Sequence, residues 1–217
     1  MGQLAQASRA NLSRTLKKTA QVTDNTALIA LDEFAVQSVP YTHYAWATKN
    51  TKPRIYSDER HRQKMNGFLT VDVQRGTTHV EFKAQSTTEE VIIVIALTVL
   101  IYLQKGINQL TFLLDNARIH GKRMETGVKE LLDEIAQQIT LPVFSLSYWH
   151  TPSYSPQLNP AEYIIHEVRR NGLYNVPCSL TLQEKTDRIQ DQLARGSPMT
   201  EQQMKKLISF ITRYKVR

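Results

Sequence analysis

The sequence predicts an α/β domain built on a mixed sheet with helices on both faces, and three observations predict it. Two short apolar runs, residues 27–31 and 110–114, the second interrupted only by Thr111, have the length and composition of strands buried on both sides. Between them, residues 67–73 and 78–83 alternate polar and apolar positions around Gln74-Arg75-Gly76, the period-two pattern of a hairpin. Helical spacing appears between the remaining strands, so the elements run strand, hairpin, helix, strand, helix, strand, helix. A chain of 217 residues suits one domain of ordinary size with small appendages.

Taken in order, residues 1–26 carry Arg9, Arg14, Lys17 and Lys18 with few large apolar groups and read as a basic arm ahead of the core. The strand at 27–31 closes on Asp32 and leads into a basic connection between Lys49 and Lys64. After the hairpin, Thr87-Thr88-Glu89-Glu90 offers a cap and an acidic first turn, and Lys105-Gly106 a basic end and a stop, so 87–105 reads as a helix. The β-branched residues 91–95 argue for a strand instead, and the sequence leaves the two open. The strand at 110–114 closes on Asp115. Val128, Leu131, Leu132, Ile135 and Ile139 recur at helical spacing and predict an amphipathic helix that ends before Pro142. Residues 143–146 read as a short strand, and a helix opens around Glu162. Residues 180–193 and 200–214 then read as two helices parted by Gly196-Ser197-Pro198, with Thr200 and Gln203 in a capping-box pattern. The expected division is a basic arm over 1–26, an α/β domain over 27–175 and a helical extension over 176–217.

Lys and Arg outnumber Asp and Glu by 27 to 20, a net charge of +7, which suits a polyanionic partner without identifying one. The single cysteine, Cys178, excludes an internal disulfide, fits a reducing compartment and reads as a small buried hydrophobe. The first 26 residues lack the apolar stretch of a secretory signal, and the longest apolar run, 91–103, is too short to span a bilayer. The expectation is a cytoplasmic protein with no membrane partner. No Cys/His spacing of a zinc site, Gly-rich phosphate loop or Ser/His/Asp pattern is present.

Chemistry is concentrated at three acids. If the strands ending on Asp32 and Asp115 lie side by side and parallel, their carboxylates meet at one edge of the sheet, where reactive groups of parallel sheets collect. Two carboxylates that close repel unless a cation neutralises them, and Mg²⁺ or Mn²⁺ takes hard oxygen ligands of this kind. A third carboxylate, Glu162, would complete a two-ion site suited to cutting phosphodiesters. Each acid also has an ordinary reading: Asp32 as a strand end, Asp115-Asn116 as a turn, and Glu162 as the reciprocal cap of a helix that begins Asn159-Pro160. Glu33 is expected on the face of the strand opposite Asp32 and is left out of the site, because successive side chains alternate.

The segments Leu31-Asp32-Glu33, Leu114-Asp115-Asn116-Ala117-Arg118-Ile119-His120 and Tyr154-Ser155-Pro156-Gln157-Leu158-Asn159-Pro160-Ala161-Glu162 resemble the three signature blocks of mariner-like DDE transposases and their bacterial insertion-sequence relatives. The resemblance covers roughly residues 27–170. It implies a ribonuclease-H-like fold with a mixed five-stranded sheet, Asp32, Asp115 and Glu162 as the catalytic metal-binding triad, and two Mg²⁺ or Mn²⁺ ions. It also implies hydrolytic nicking of double-stranded DNA at transposon ends, strand transfer into target DNA, and a homodimer on DNA. Two departures stand out: Ile165 occupies the position where the family usually has tryptophan, and the stretch between Asp115 and Glu162 is longer than in most relatives. The family's helix-turn-helix modules find no room in 26 residues, so a companion protein carrying them is a further expectation.

Around the triad, Asn116 and His120 are candidates to orient Asp115 or to contact a phosphate. Lys52, Arg54, Arg60, Arg62, Lys122, Arg123, Arg169 and Arg170 are candidate DNA-backbone contacts of the kind that confer affinity without sequence preference. Trp46 and Trp149 read first as core or partner packing, and second as stacking platforms for an unpaired base. Competing readings are a ribonuclease-H-like nuclease turned to another task, such as a resolvase or defence endonuclease, and a non-catalytic DNA-binding or assembly subunit that keeps the fold.

Overall fold

In the computed structural model, described for residues 24–40, 46–51, 62–152, 155–174, 176, 179–196 and 199–213, five strands form one sheet in the order β3-β2-β1-β4-β5. They are β1 (Thr26–Gln37), β2 (Lys64–Asp72), β3 (Thr78–Lys83), β4 (Gln109–Leu114) and β5 (Ser145–His150). β1 pairs antiparallel with β2 and β2 with β3, while β1 with β4 and β4 with β5 are parallel. The expected mixed sheet is therefore present, and its central strand β1 has a partner of each sense. Expectations for Cys178, Lys52, Arg54, Arg60 and the basic arm lie outside the described residues.

Strand alternation divides β1 between two cores. Leu28, Ala30, Phe34 and Val36 face one side, with α3 (Pro160–Gly172), α4 (Leu182–Ala194) and α5 (Glu201–Arg213). Ala27, Ile29 and Leu31 face the other, with α1 (Thr88–Gln104) and α2 (Lys122–Gln138). Helices thus cover both faces, as the patterning predicts. The ambiguity over 91–95 resolves to helix: Thr87 caps α1 by accepting from the Glu90 amide, and Gly106 follows its end with φ 78°. Its β-branched residues pack at Val91, Val94, Ile95 and Val99, the i, i+3, i+4 spacing that tertiary burial rewards over local strand preference. α2 comes so close that a Cβ on Gly127 would lie 2.4 Å from Ile92 Cδ1.

Two element boundaries differ from expectation. β1 does not end at Asp32; it continues to Gln37 against β2, although its pairing with β4 stops at Ala30↔Leu113. The apolar run marks only the portion of β1 with strands on both sides. β5 begins at Ser145 rather than at residue 143, and Val143 is 92% exposed. As an edge strand β5 is half covered, so it alternates, with Phe144, Leu146 and Tyr148 toward α2 and Trp149 toward the other core. Trp46, 103% exposed, is not a core residue. The expected reciprocal cap of Thr200 with Gln203 is present, and α4 starts on a second one, Thr181 with Glu184, that the sequence reading does not name.

Candidate active site

The parallel register of β1 and β4 advances by 83 residues, as in Ala30↔Leu113, and extending it two residues sets Asp32 level with Asp115. The two aspartates thus stand where the β1–β4 pairing stops, at the carboxyl end of β4. Asp32 lies on the face covered by α3, and its residue is 8% exposed. Its Oδ1 accepts from the Glu33 amide at 2.8 Å and its Oδ2 from Asn159 Nδ2 at 3.0 Å.

Asn159 joins the third acid to the first. It caps α3, its Oδ1 accepting from the Ala161 amide at 3.1 Å, while its Nδ2 also reaches the Leu31 carbonyl at 3.3 Å. One buried amide therefore fixes the start of α3 against the end of the apolar part of β1. Glu162 lies in the first turn of that helix, and the reciprocal cap that is its alternative reading does not form: only the Glu162 amide, donating to the Asn159 carbonyl at 3.3 Å, takes part. Its half-buried carboxylate has no hydrogen-bond partner among the described residues. Ile165, 1% exposed, fills the core at the position where a tryptophan is usual in the resembling family. Replacing Asn159 with alanine removes a cap and a tether together. A loss of about 1–2 kcal/mol in urea denaturation is expected, and a loss below 0.5 would count against the tether.

The electrostatics follow from this crowding. Burial, then the negative charges of Glu162 and Glu33 and that of Asp115, push the Asp32 carboxyl up to about 8. Asp115 is held below the usual carboxylate range, first by its hydrogen bond from His120 and further by the Ala117 amide, against a smaller opposing effect of burial. The acids thus sense one another, and their oxygen-only chemistry fits Mg²⁺ or Mn²⁺. Among the described residues no group of three or more His, Cys, Asp or Glu side chains is arranged to hold an ion as it stands.

Glu33 corrects the sequence reading. It does point away from Asp32, yet its Oε1 lies 2.9 Å from His120 Nε2, and His120 Nδ1 lies 2.7 Å from Asp115 Oδ1. Alternation identified its face; only the approach of the buried imidazole makes that face part of the site. Asn116 donates through Nδ2 to the Thr151 carbonyl, which ties the turn to the end of β5. Arg62 and Lys122 are exposed and Arg169 is half-buried, whereas Arg123 pairs with Glu89 and Arg170 with Glu167, both at the surface. Such exposed pairs are weak and exchange readily for a phosphate.

A family profile described as "DDE superfamily endonuclease" matches residues 27–183. No curated protein matches the chain. Among solved structures, the chain is similar to the Mos1 strand transfer complex, with a TM-score of 0.62 and 14% identity over 100% of this chain and 64% of that one. It is similar to the Mos1 mariner paired end complex with Mg, with a TM-score of 0.60, 14% identity, and coverage of 100% and 65%. It also matches the catalytic domain of Mos1 mariner transposase, with a TM-score of 0.51 and 14% identity, spanning 100% of this chain and 98% of that domain. At such identity the likeness is one of fold, and the fold is the ribonuclease-H-like one of that catalytic domain. The chain spans 64% of the length of the strand-transfer protein.

Proposed function

Because the chain belongs to the DDE superfamily endonucleases, we propose that it is the catalytic domain of a cut-and-paste transposase, performing metal-dependent DNA cleavage followed by strand transfer. The observation that carries this reading is the arrangement of three acids. Parallel register sets Asp32 level with Asp115, and Asn159 anchors the helix of Glu162 to Asp32. A second support is the fold of Mos1 structures described as strand-transfer and paired-end complexes, some with Mg or Mn.

Asp32, Asp115 and Glu162 would hold the ions, Asp32 being the most buried of the three. Two bound divalent ions would supply Lewis-acid stabilisation of the attacking and leaving oxygens of an in-line displacement. The protein's own part is to orient. Asn159 holds Asp32 Oδ2, the Asp115 turn holds its carboxylate through Oδ1, and the Glu162 side chain is left without a competing cap. DNA would be held by Arg62, Lys122 and Arg169, with Lys52, Arg54 and Arg60 as further contacts. Two ends must be joined, so a homodimer on DNA and a helix-turn-helix companion belong to the same proposal.

The test is strand transfer of a pre-cut, 3′-hydroxyl-terminated DNA end into a plasmid with Mn²⁺ or Mg²⁺. Covalent joining is expected. Cutting without joining would move the reading to a plain ribonuclease-H-like nuclease, and no measurable Mn²⁺ binding to the protein would move it to a non-catalytic assembly subunit.

A further inference from the structure

We propose that Glu33 and His120 form a positioning relay that fixes the Asp115 carboxylate through Oδ1 and so leaves Oδ2 to a divalent cation; this rests on the reading of Asp115 as a metal ligand. The side chain of His120 is 0% exposed, and both of its ring nitrogens are engaged, Nδ1 with Asp115 Oδ1 at 2.7 Å and Nε2 with Glu33 Oε1 at 2.9 Å. The same Oδ1 accepts from the Ala117 amide at 2.9 Å. With two donors on one oxygen, rotation of the carboxylate breaks both bonds at once. No described residue bonds to Oδ2.

The ring is itself held. A short 3-10 helix, Arg118–His120, carries it, with the His120 amide donating to the Ala117 carbonyl at 3.0 Å. His150 Nε2 donates to the His120 carbonyl at 3.0 Å, so β5 supports the turn from the other side. Glu33 contributes from β1, the strand that also bears Asp32, but from the opposite face. The relay therefore ties Asp115, which follows β4, to the strand that carries Asp32.

Folding alone does not require this arrangement. The Asp115 to Ala117 hydrogen bond already closes the turn, and an apolar side chain at position 120 would fill the buried space without the cost of burying an imidazole between two carboxylates. What the relay adds is direction: a ligand whose far oxygen is fixed presents its near oxygen at a set angle. Residues that orient metal ligands in this way typically change metal affinity or activity about 10–100-fold when removed.

The test is Mn²⁺ titration calorimetry on the full chain without DNA, with circular dichroism as the check on folding. Glu33→Ala and His120→Ala are each expected to weaken Mn²⁺ binding about 10–100-fold. Glu33→Gln, whose amide oxygen still accepts from the ring, should stay within about threefold of the parent. In cleavage assays the alanine variants should need correspondingly more Mn²⁺ for half-maximal rate. Folded alanine variants that bind Mn²⁺ like the parent, even if they melt earlier, overturn the relay and assign the residues to stability alone. Should an alanine variant not fold, His120→Asn, polar but too short to reach both carboxylates, carries the same comparison: about tenfold weakening supports the relay and parental affinity overturns it. Asp115→Asn separates the two layers. If it leaves Mn²⁺ binding unchanged, the assignment of Asp115 as a ligand fails; if it abolishes binding while the alanine variants do not, only the relay fails.

Discussion

Asp115→Asn is expected to reduce DNA cleavage by at least about 10³-fold, roughly 4 kcal/mol of lost transition-state stabilisation, while DNA binding stays the same or tightens. Asparagine is nearly isosteric, and its Oδ1 can still accept from the Ala117 amide and the His120 ring, so the turn should keep its shape. What disappears is the negative charge and the oxygen proposed for a cation. If DNA binds beside Asp115 as proposed, loss of the acid also removes repulsion from phosphates, which is why binding should not suffer. A gel-based cleavage assay beside an electrophoretic mobility shift reads both quantities on one preparation. Unchanged cutting removes Asp115 from the chemistry.

The second large effect concerns stability and is carried by Asp32. Its folded-state carboxyl is raised from 3.8 to about 8, so between those values the folded chain holds a proton that the unfolded chain has lost. Stability of the metal-free protein must therefore fall as pH rises through this window, by several kcal/mol and on the order of 5, with the penalty complete above pH 8. His120 acts in the same direction over a higher window. Burial alone would lower it, but the hydrogen bonds and charges of Asp115 and Glu33 raise it from 6.5 to about 10, so its stabilisation is full below 6.5 and is lost toward 10. Asp115 acts oppositely: its lowered carboxyl contributes stability above its ordinary titration that is lost only in acid. Urea midpoints from pH 4.5 to 8.5 should decline for the parent and much less for Asp32→Asn. Millimolar Mg²⁺ should restore the parent at pH 8 but not the variant, since a cation replaces the proton in relieving the crowded charge. A flat profile for the parent would refute the electrostatic account of the site.

Much of this was legible because it is written in local chemistry. The apolar runs at 27–31 and 110–114 gave two central strands, the Thr87 cap and the Gly106 stop bounded α1, and the Thr200 cap opened the last helix. The extent of β1 beyond Asp32 was not legible, because its later half is buried by β2 and by helices far along the chain. The register of β5 was missed for a related reason: an edge strand is covered on one side, and the apolar cluster at 143–146 straddles its start. For Glu162 the sequence offered a metal ligand and, as the ordinary alternative, a reciprocal cap; what it hid is that the Asn159 side chain, besides capping its own helix, reaches Asp32 and Leu31, 127 and 128 residues away.

The sequence by itself determined the class of fold and most of the elements that carry the candidate acids, since hydrophobic period and caps act over a few residues. Only the tertiary structure decided which of those groups touch. The parallel pairing of β1 with β4 sets Asp32 level with Asp115 across 83 residues of chain, and the buried His120 brings Glu33 into the same network across 87. Those contacts come from packing both faces of one sheet, and alternation along a strand can assign a face without saying what the fold will bring against it.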